Sequence, residues 1–541
     1  MKFLVTALTL AGALVLSAAP LGVTDLRTEH RVSPTGVGTS PRLSWQLVSD
    51  ERGKSQTAYE ILAASAPEKL DEKAADLWKS GKQNIGLRQL VAWKGQSLKG
   101  VSKVHWKVRV WDEAGQPGSW SDAAVFQVDG STELPAPDRI STFESSSPEL
   151  NAFYAKSVEL LGKKLAAFAA GDPTALGQGD QVHRASRAML YHFDAVPHLT
   201  RWLRLMDDHR SKDLTFTLGP KSQKVASLIS EGAIAAHHPV WWMGGDADYP
   251  KERWKLYEEH MMAREKNDRT FLGSKWGEAT PAEGMSAEYL DLLSLAFTTR
   301  LVRELALPAQ EPLNAIRFQD YAARIKKSFQ KQYLTPEGTL KVTSQTARAF
   351  ALRSAVLERE QQSRVVTDLV ASLSKDGLQV GPIGAYFLPG VLSLTGHQDK
   401  AVDLLKKLTP EQRKTFLGNG ISEWLMAYLA GIDSNSPGFQ QVLIAPRIPT
   451  DDSLSWVKAS CQAPSGLVWV HWQKLPKGGI QVDYTIPVGV FARVNLPAPK
   501  EATILEGGKD LAEVPALEVV SRGDQFVSLI SKSGSYSIMI R

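Results

Sequence analysis

The sequence predicts a multidomain protein in which a central helical domain, residues 146–435, lies between two antiparallel β-sandwiches, residues 20–130 and 436–541. Three observations support this prediction. Apolar residues alternate with a period of two in the first segment, recur at helical spacing in the second, and alternate again in the third. A chain of 541 residues is also long enough to bury several separate cores.

The N-terminus, residues 1–19, carries the pattern of a secretory signal peptide. Lys2 precedes the apolar segment Phe3–Leu16, and small residues follow it at a typical cleavage position. This pattern predicts a periplasmic or extracellular protein. The only cysteine, Cys461, lies far from the cleavage point and has no second cysteine to pair with. We therefore expect neither a lipid anchor nor an internal disulfide, and we expect packing alone to stabilise the fold.

The first β-sandwich is predicted from alternating strands and the turns between them. In the segment Val104–Val110, valine and tryptophan alternate with histidine, lysine and arginine, and the turn-rich sequence DEAGQPGSWS follows at once. Similar strands are predicted at Leu43–Val48 and Ala58–Ala63. The polar, proline-bearing sequence Asp129–Asp138 then predicts a linker, which we place over residues 131–145.

The central segment is predicted to be helical throughout. Its apolar residues recur at helical spacing between Pro and Gly punctuation, and it has room for about twelve helices of ordinary length, enough for a ring of helical hairpins. The clearest helical segments are Leu150–Ala169, Ser286–Leu305, Leu313–Tyr333, Glu358–Ser374 and Lys400–Leu408.

The segment Gly420–Ile448 marks the junction between the helical domain and the second β-sandwich. Ser422 is predicted to cap a last helix, and Gly431 to end it in the left-handed conformation that glycine adopts at low cost. The apolar run Val442–Ala445 then predicts a short buried strand. Alternation returns in Ile480–Ile486 and continues to the C-terminus, which predicts the second sandwich.

Composition argues against several classes of function. The formal charge of +5 is small for this length, and the basic residues form no run with interleaved aromatics, so nucleic acid is not an expected partner. No segment predicts membrane insertion. The sequence also lacks a G-x-S-x-G elbow, a phosphate-binding loop and a dinucleotide fingerprint, so serine hydrolases and nucleotide enzymes are not predicted.

Several sequence motifs together resemble one enzyme family. The N-terminal domain contains LRTEHRVSPTGVGTSPRLSWQL and VHWKVRVWDEAGQPGSWS; the central part contains FESSSPELNAFY, TSQTARAFAL and GPIGAYFLPGVLSLTGH; the C-terminal part contains SWVKAS and YTIPVGVFARVNLP. With the junction described above, this set resembles the bacterial α-L-rhamnosidases, glycoside hydrolase family 78. The resemblance implies an N-terminal fibronectin III-like β-sandwich, a central (α/α)6 six-hairpin barrel and a C-terminal β-sandwich. It also implies an inverting glycoside hydrolase that acts on rhamnose-containing glycans.

The resemblance weakens at the family's catalytic motif, D-C-P-Q-R-D-E-R-x-G-W-x-G-D-A-Q. The corresponding segment is Gly171–Ala195. Asp180 and Gln181 match the end of the motif, and Asp172 matches an upstream aspartate. The position of the general acid falls on Pro173 or Thr174. The family's later T-T-I-W-E segment, which carries the base, is missing, and its G-D-W motif corresponds to Ser274-Lys275-Trp276. The resemblance thus implies Asp180 as a catalytic candidate, and Asp172 and Trp276 as substrate-binding candidates. Glu278, two residues after Trp276 in a Gly-bearing loop, is a second catalytic candidate. Trp242 is a further substrate-binding candidate, because its ring could stack on a sugar.

The chemistry of inversion explains why these differences matter. One protonated carboxyl must donate to the leaving oxygen, and one carboxylate, about 6.5–9.5 Å away, must activate water. Losing a positioned acid or base typically slows the reaction by about 10²- to 10⁴-fold. A displaced carboxylate at Glu278, Glu283 or Asp246 could restore part of the function. We therefore expect hydrolase activity to be impaired or altered.

Each candidate also has a purely structural interpretation. Asp180 precedes a helical run and could be its N-cap, a role compatible with sugar binding. Glu423 fits the first turn of its helix, and Glu278 could be a solvated loop charge. The pair Trp241-Trp242 could stack on sugar rings or pack in the core. Adjacent His237 and His238 cannot face one metal from a helix, so no metal and no cofactor is predicted.

Three hypotheses follow for the function. The first is a secreted α-L-rhamnosidase-like glycoside hydrolase with rearranged carboxylates. The second is a non-catalytic glycan-binding pseudoenzyme, and the third is a structural component of a surface or complex. The partner expected under the first two is a carbohydrate. The sequence does not predict the oligomeric state.

Overall fold

The N-terminal domain is a sandwich of two antiparallel sheets. The computed structural model of the chain describes residues 20–130, 134–210, 227–267 and 284–541. The strands are β1 (Gly22–Thr28), β2 (Arg42–Val48), β3 (Ala58–Ala64), β4 (Trp78–Lys79), β5 (Val91–Ala92), β6 (Lys103–Trp111) and β7 (Ala124–Gln127). They form the sheets β1-β2-β5 and β4-β3-β6-β7. The predicted alternation in β6 is confirmed, because Val104, Trp106, Val108 and Val110 are fully buried.

The central domain consists of fourteen helices within the described residues. They are α1 (Pro148–Ala169), α2 (Gly179–His192), α3 (Val196–Asp208), α4 (Ser227–Ala235), α5 (His237–Gly244), α6 (Asp248–Asn267), α7 (Ala287–Ala306), α8 (Pro312–Tyr333), α9 (Gln345–Arg353), α10 (Arg359–Asp376), α11 (Pro382–Leu394), α12 (Gln398–Lys406), α13 (Pro410–Leu417) and α14 (Ile421–Trp424). A π-helical turn, Leu425–Ala430, continues α14. The five predicted helical segments correspond to α1, α7, α8, α10 and α12.

Local capping explains where several of these helices begin. The hydroxyls of Ser147, Ser286 and Ser344 accept hydrogen bonds from backbone N–H groups in the first turns of α1, α7 and α9. Such serines satisfy N–H groups that have no partner inside the helix. Pro148 and Pro312 occupy the first position of α1 and α8, where the missing N–H of proline costs nothing.

Six helices form a closed ring around a common axis. Helices α2, α4, α7, α9, α11 and α14 each contact the next, and α14 contacts α2 again. The other helices pack outside this ring, for example α1 against α2, α8 against α7, and α10 against α9. Two layers of paired helices around one axis are the predicted six-hairpin barrel, which is thereby confirmed.

The C-terminal domain is a second β-sandwich, as predicted. Its strands are β9 (Ile432–Ser434), β10 (Gln441–Ile444), β11 (Trp456–Ala463), β12 (Gly466–Lys474), β13 (Ile480–Ile486), β14 (Phe491–Pro497), β15 (Ile504–Glu506), β16 (Lys509–Asp510), β17 (Leu517–Arg522), β18 (Phe526–Ser531) and β19 (Gly534–Ile540). A five-stranded sheet has the order β17-β18-β14-β10-β9. A seven-stranded sheet has the order β16-β15-β19-β13-β12-β11-β8.

Strand β8 (Ser141–Ser145) corrects the predicted linker over residues 131–145. The strand precedes the first helix, yet it pairs antiparallel with β11 of the C-terminal sheet, with Ser145 opposite Val457 and Ser141 opposite Cys461. Alternate residues of this strand, among them Phe143, are buried, and the two residues between them are exposed. The sequence predicts a hairpin strand from the turn that joins it to its partner. Because β8 and its partner β11 are far apart in sequence, no such turn marks β8, and the segment was predicted to be a linker.

The junction between the barrel and the C-terminal sandwich differs from the prediction at one end. Gly431 ends the π-helical turn with φ of 81°, as predicted. Ser422, however, is not the N-cap, because α14 begins after Gly420 and the Ser422 hydroxyl accepts a hydrogen bond from Ser157 inside the domain. Gly420 adopts a left-handed conformation with φ of 70° and supplies the turn instead.

The barrel and the C-terminal sandwich share one continuous apolar core, whereas the N-terminal sandwich has its own. The N-terminal sandwich is joined to the barrel by ion pairs, namely Arg42 with Asp246 at 2.7 Å and Arg27 with Asp194. Gln46 also binds the carbonyl of Ala463 in the C-terminal sandwich. Among the helices described, none has both the length and the apolarity needed to cross a bilayer.

We predict that Gly431→Ala destabilises the protein far more than Gly396→Ala. Both glycines have φ near 81°, so alanine should cost about 1–2 kcal/mol of backbone strain at either position. A Cβ at Gly396 meets no atom within 4 Å, whereas a Cβ at Gly431 would lie 2.1 Å from the backbone nitrogen of Pro446. We expect about 1–3 kcal/mol of additional loss for Gly431→Ala, measured by urea unfolding. Equal losses would contradict the close approach.

Candidate functional site

A small pocket lies on the barrel axis, and we call it the axial pocket. It is lined by Asp180, His183, Arg184, Glu231, Gly232, Ala235, Ser294, Phe297, Thr298, Phe350, Ile383 and Phe387. Asp180 comes from the first turn of α2 and Ile383 from the first turn of α11, so the pocket lies toward the N-terminal ends of these helices. Its volume is about 30 Å³, room for about one water molecule.

Asp180 is held in the pocket by an arginine one turn along its own helix. The Arg184 guanidinium donates to the Asp180 carboxylate at 2.9 Å, and both side chains are largely buried. Arg184 also donates to Asn419 at 2.7 Å across the seam between α2 and α14. The N-cap interpretation of Asp180 is wrong, since Gln178 is the N-cap and forms a capping box with Gln181.

Helix α4 approaches the start of α2 so closely that only glycine fits between them. A Cβ at Gly232 would lie 2.4 Å from the Cα of Asp180 and 2.5 Å from its nitrogen. Real side chains do not approach backbone atoms to this distance, so the contact requires a residue without a Cβ. Because Glu231 is the neighbouring residue, this contact brings the backbones that carry the two carboxylates together.

Glu231 is the acidic residue that the sequence analysis missed. Its side chain is buried, and one oxygen lies 3.2 Å from Nε2 of His260 and 3.0 Å from Nε of Arg264. Arg264 also donates to Asp291 at 2.9 Å. Burial opposes the charge on Glu231, but His260 and Arg264 outweigh it and hold the pKa of Glu231 below its ordinary value. Glu231 is therefore an ionised carboxylate and not a proton donor.

A signal for Glu231 exists in the sequence. The segment Ser230–Ala236, SEGAIAA, places one carboxylate in an otherwise small and apolar helical run. A buried charge is retained only where it is paired, so an isolated glutamate in such a run indicates an ion cluster or a site. Its partners lie on α6 and α7, which local patterns do not reveal.

Aromatic rings line part of the axial pocket. Phe350 stacks on Phe387 with centroids 4.8 Å apart, and Phe297 lies edge-on to Phe387 at 5.6 Å. His183 contacts Phe297 at 5.3 Å, and burial lowers the pKa of His183 to about 3, so this imidazole is neutral. The described residues therefore leave the pocket without room for a sugar ring, since ligand pockets usually measure about 300–1,000 Å³.

A second pocket of about 40 Å³ contains Glu423 and shares Phe297 and Phe387 with the axial pocket. As predicted, Glu423 lies in the first turn of α14. Its carboxylate is 2.9 Å from Nε of Arg187, which also binds Asp433 at 2.7 Å. Burial nevertheless raises the pKa of Glu423, because it outweighs the attraction of Arg187.

The structure does not bring the other described candidates into the axial pocket. Asp172 lies in an exposed turn, where Thr174 donates two hydrogen bonds to its carboxylate and thereby lowers its pKa. Trp242 stacks on His238 with centroids 5.8 Å apart and is only partly exposed. Asp246, considered as a displaced carboxylate, is instead bound by Arg42 of the N-terminal domain.

Two of the predicted site residues, Trp276 and Glu278, lie outside the described residues, as do Lys275 and Glu283. The described part of the chain contains no group of three His, Cys, Asp or Glu side chains that could hold a metal ion. His237 and His238 face different partners, since His237 binds Tyr249 and His238 binds Glu304.

Comparison with protein-family models matches nearly the whole described chain. Residues 23–129 match the Rha78A-like N-terminal immunoglobulin domain. Residues 138–420 match the bacterial α-L-rhamnosidase six-hairpin glycosidase domain, and residues 431–510 match the bacterial α-L-rhamnosidase C-terminal domain. The three matches follow the same order as the three domains.

Individual relatives share shorter segments. An α-L-rhamnosidase of Formosa agariphila is 43% identical over 89 residues, which are 16% of this chain and 9% of that protein. An α-L-rhamnosidase of Streptomyces avermitilis is 28% identical over 217 residues, 40% of this chain and 18% of that protein. The chain thus matches less than a fifth of the length of either relative.

Solved structures resemble the whole fold. A Streptomyces avermitilis α-L-rhamnosidase complexed with L-rhamnose superposes with a TM-score of 0.84 at 12% identity and covers 96% of this chain and 100% of that chain. An α-L-rhamnosidase from Aspergillus terreus gives a TM-score of 0.79 at 12% identity, with coverage of 96% and 100%. At such low identity these likenesses concern the fold alone.

We predict that Glu231→Gln destabilises the protein by about 3 kcal/mol at neutral pH, because it removes one partner of a buried ion cluster. The folded pKa of Glu231 lies below its ordinary value of 4.5, so its stabilisation is present above that value and is lost as the pH falls through the folded pKa. The difference from the unmodified protein should therefore shrink under acid conditions, as measured by urea unfolding across a pH series.

The exposed pair Glu360–Arg364 provides a matched control, because Glu360→Gln removes an ion pair in solvent and should change stability by less than about 1 kcal/mol. If Glu231→Gln is as stable as the unmodified protein at neutral pH, the buried ion cluster is assigned incorrectly.

Proposed function

The chain belongs to the bacterial α-L-rhamnosidase family, and we propose that it recognises rhamnose-containing glycans with an impaired or altered hydrolase activity. The single observation that carries this proposal is the state of the two carboxylates in the axial pocket. Asp180 is bound to Arg184, and Glu231 is bound to His260 and Arg264. Inversion needs one protonated carboxyl and one carboxylate that activates water.

Neither axial carboxylate suits the role of general acid. The low pKa of Glu231 leaves no proton to donate, and the Asp180 carboxylate accepts a hydrogen bond from a cation. The family's acid position falls on Pro173 or Thr174 in this sequence, and neither side chain can donate a proton to a leaving group. Phe350 and Phe387 line the pocket, and its volume of about 30 Å³ is small for a pyranose.

Rhamnose as the recognised sugar is supported by family membership and by a fold neighbour whose structure contains L-rhamnose. Export to the periplasm or the extracellular space is supported by the signal-like sequence of residues 1–19. A non-catalytic glycan-binding pseudoenzyme is the second candidate, and it is favoured because the family's acid position falls on Pro173 or Thr174 and Glu231 is held ionised.

We predict that the full chain releases p-nitrophenol from p-nitrophenyl α-L-rhamnoside at least about 10⁴-fold more slowly than the Streptomyces avermitilis α-L-rhamnosidase in the same assay. The reason is the combined loss of a positioned acid and base. Any residual turnover should be compared with that of Asp180→Asn. A rate within tenfold of the reference enzyme that Asp180→Asn abolishes would contradict the impaired-activity proposal.

Titration with L-rhamnose, followed by isothermal calorimetry or ligand-observed NMR, separates the two candidates. Binding without turnover supports the pseudoenzyme, and binding with slow turnover supports the impaired hydrolase. The absence of both binding and turnover would contradict both candidates and leave the structural role.

A further inference from the structure

A larger cavity lies between the N-terminal sandwich and the barrel, and we call it the interdomain cleft. It measures about 370 Å³, more than ten times the axial pocket. One wall is the segment Glu29–Gly38 together with Arg42, and the other consists of residues from α3 and from the region of Asp246–Glu252. The size falls within the usual range of ligand sites for small molecules.

Four arginines and three carboxylates line the cleft, and part of this charge is already paired. Arg42 binds both Glu29 and Asp246 at 2.7 Å. Arg204 lies 3.7 Å from Glu252, and both of these side chains are more than half exposed, so their interaction is weak. All three carboxylates of the cleft are therefore associated with Arg42 or Arg204.

The remaining two arginines, Arg31 and Arg201, have no carboxylate within 4 Å among the described residues. Arg31 is partly buried, and this burial lowers its pKa because the attraction of Glu29 offsets only part of the desolvation. Arg201 is exposed and lies over the ring of Phe168 at 5.9 Å. Each guanidinium can therefore bind an added anion without first breaking an ion pair of the protein.

The start of α3 adds to the positive potential of the cleft. Val196, Pro197, Thr200, Arg201 and Arg204 all line it, and they lie on one face of this thirteen-residue helix. No side chain caps the helix N-terminus, and its first turn contains no acidic residue. The positive end of the helix dipole thus faces the same space as the two guanidiniums.

We propose that the interdomain cleft binds a carboxylate-bearing sugar unit of an acidic glycan. A planar guanidinium binds a carboxylate through two parallel hydrogen bonds, and Arg31 and Arg201 lie on opposite walls of the cleft. Val37, Val196 and Val240 provide apolar surface for the C–H groups of a sugar ring. The preference for an anion rests on the cleft, whereas the choice of a sugar as its carrier rests on the proposed function.

The test measures binding of trigalacturonate to the full chain by isothermal titration calorimetry, with the fully methyl-esterified trimer as the neutral probe. We expect binding of the acid, no detectable binding of the ester, and weakening with added salt. Arg31→Ala and Arg201→Ala should each raise the Kd about tenfold or more. Arg201 is exposed, so its substitution tests the proposal even if Arg31→Ala disturbs folding.

Arg359→Ala is the matched control, because Arg359 is exposed, forms no ion pair within the described residues and lies on α10, away from the cleft. It should leave the Kd unchanged. Equal binding of acid and ester, or an unchanged Kd in both cleft variants, would overturn the proposal. Inorganic phosphate that binds as tightly as trigalacturonate, with the same dependence on Arg31 and Arg201, would overturn the assignment to a sugar.

These outcomes are distinct from failure of the proposed function. L-rhamnose and its p-nitrophenyl glycoside carry no anion and report on rhamnose recognition and turnover, for which Asp180→Asn is the relevant variant. Loss of rhamnose recognition with trigalacturonate binding retained would contradict the proposed function alone. The opposite result would contradict the cleft alone.

Discussion

Closure of the helical ring depends on a strand pair that lies outside it. Strand β8 lies just before α1, the helix that packs outside α2, and β11 comes after α14, β9 and β10. The two strands pair antiparallel. This pairing holds the entry and the exit of the barrel together, so that α14 can contact α2. Bringing the two ends of this long segment together costs chain entropy, and the strand pairing helps to offset that cost.

The contact between α2 and α14 also holds charged side chains of the axial pocket in place. Arg184 and Arg187 on α2 bind Asn419 and Glu423, which come from the last turns of the ring. The continuous core behind them extends into the C-terminal sandwich. Tightly packed interiors adjust little around a changed side chain, so the position of Asp180 is set by packing as well as by its arginine. The contact at Gly232 shows how little space that packing leaves.

Periodicity predicted the strands and helices because each depends on residues close in sequence. The alternation of β6 and the spacing in α7 and α8 were sufficient for this purpose. Features that depend on distant partners were missed. Strand β8 lies in a polar, proline-bearing region and finds its partner after the barrel. Asp180 resembled an N-cap, but the capping box at Gln178 begins the helix two residues earlier.

The axial pocket and the interdomain cleft differ in how their charged side chains are paired. In the axial pocket, the charge of Glu231 is paired with His260 and Arg264 of α6 through one carboxylate oxygen, so this charge is already largely compensated inside the protein. In the interdomain cleft, Arg31 and Arg201 form no ion pair with a carboxylate among the described residues. A ligand carboxylate binds most favourably to a cation that is partly buried and has no carboxylate of the protein beside it. The unpaired arginines therefore favour the domain boundary over the barrel axis as the place where this chain would bind an anion.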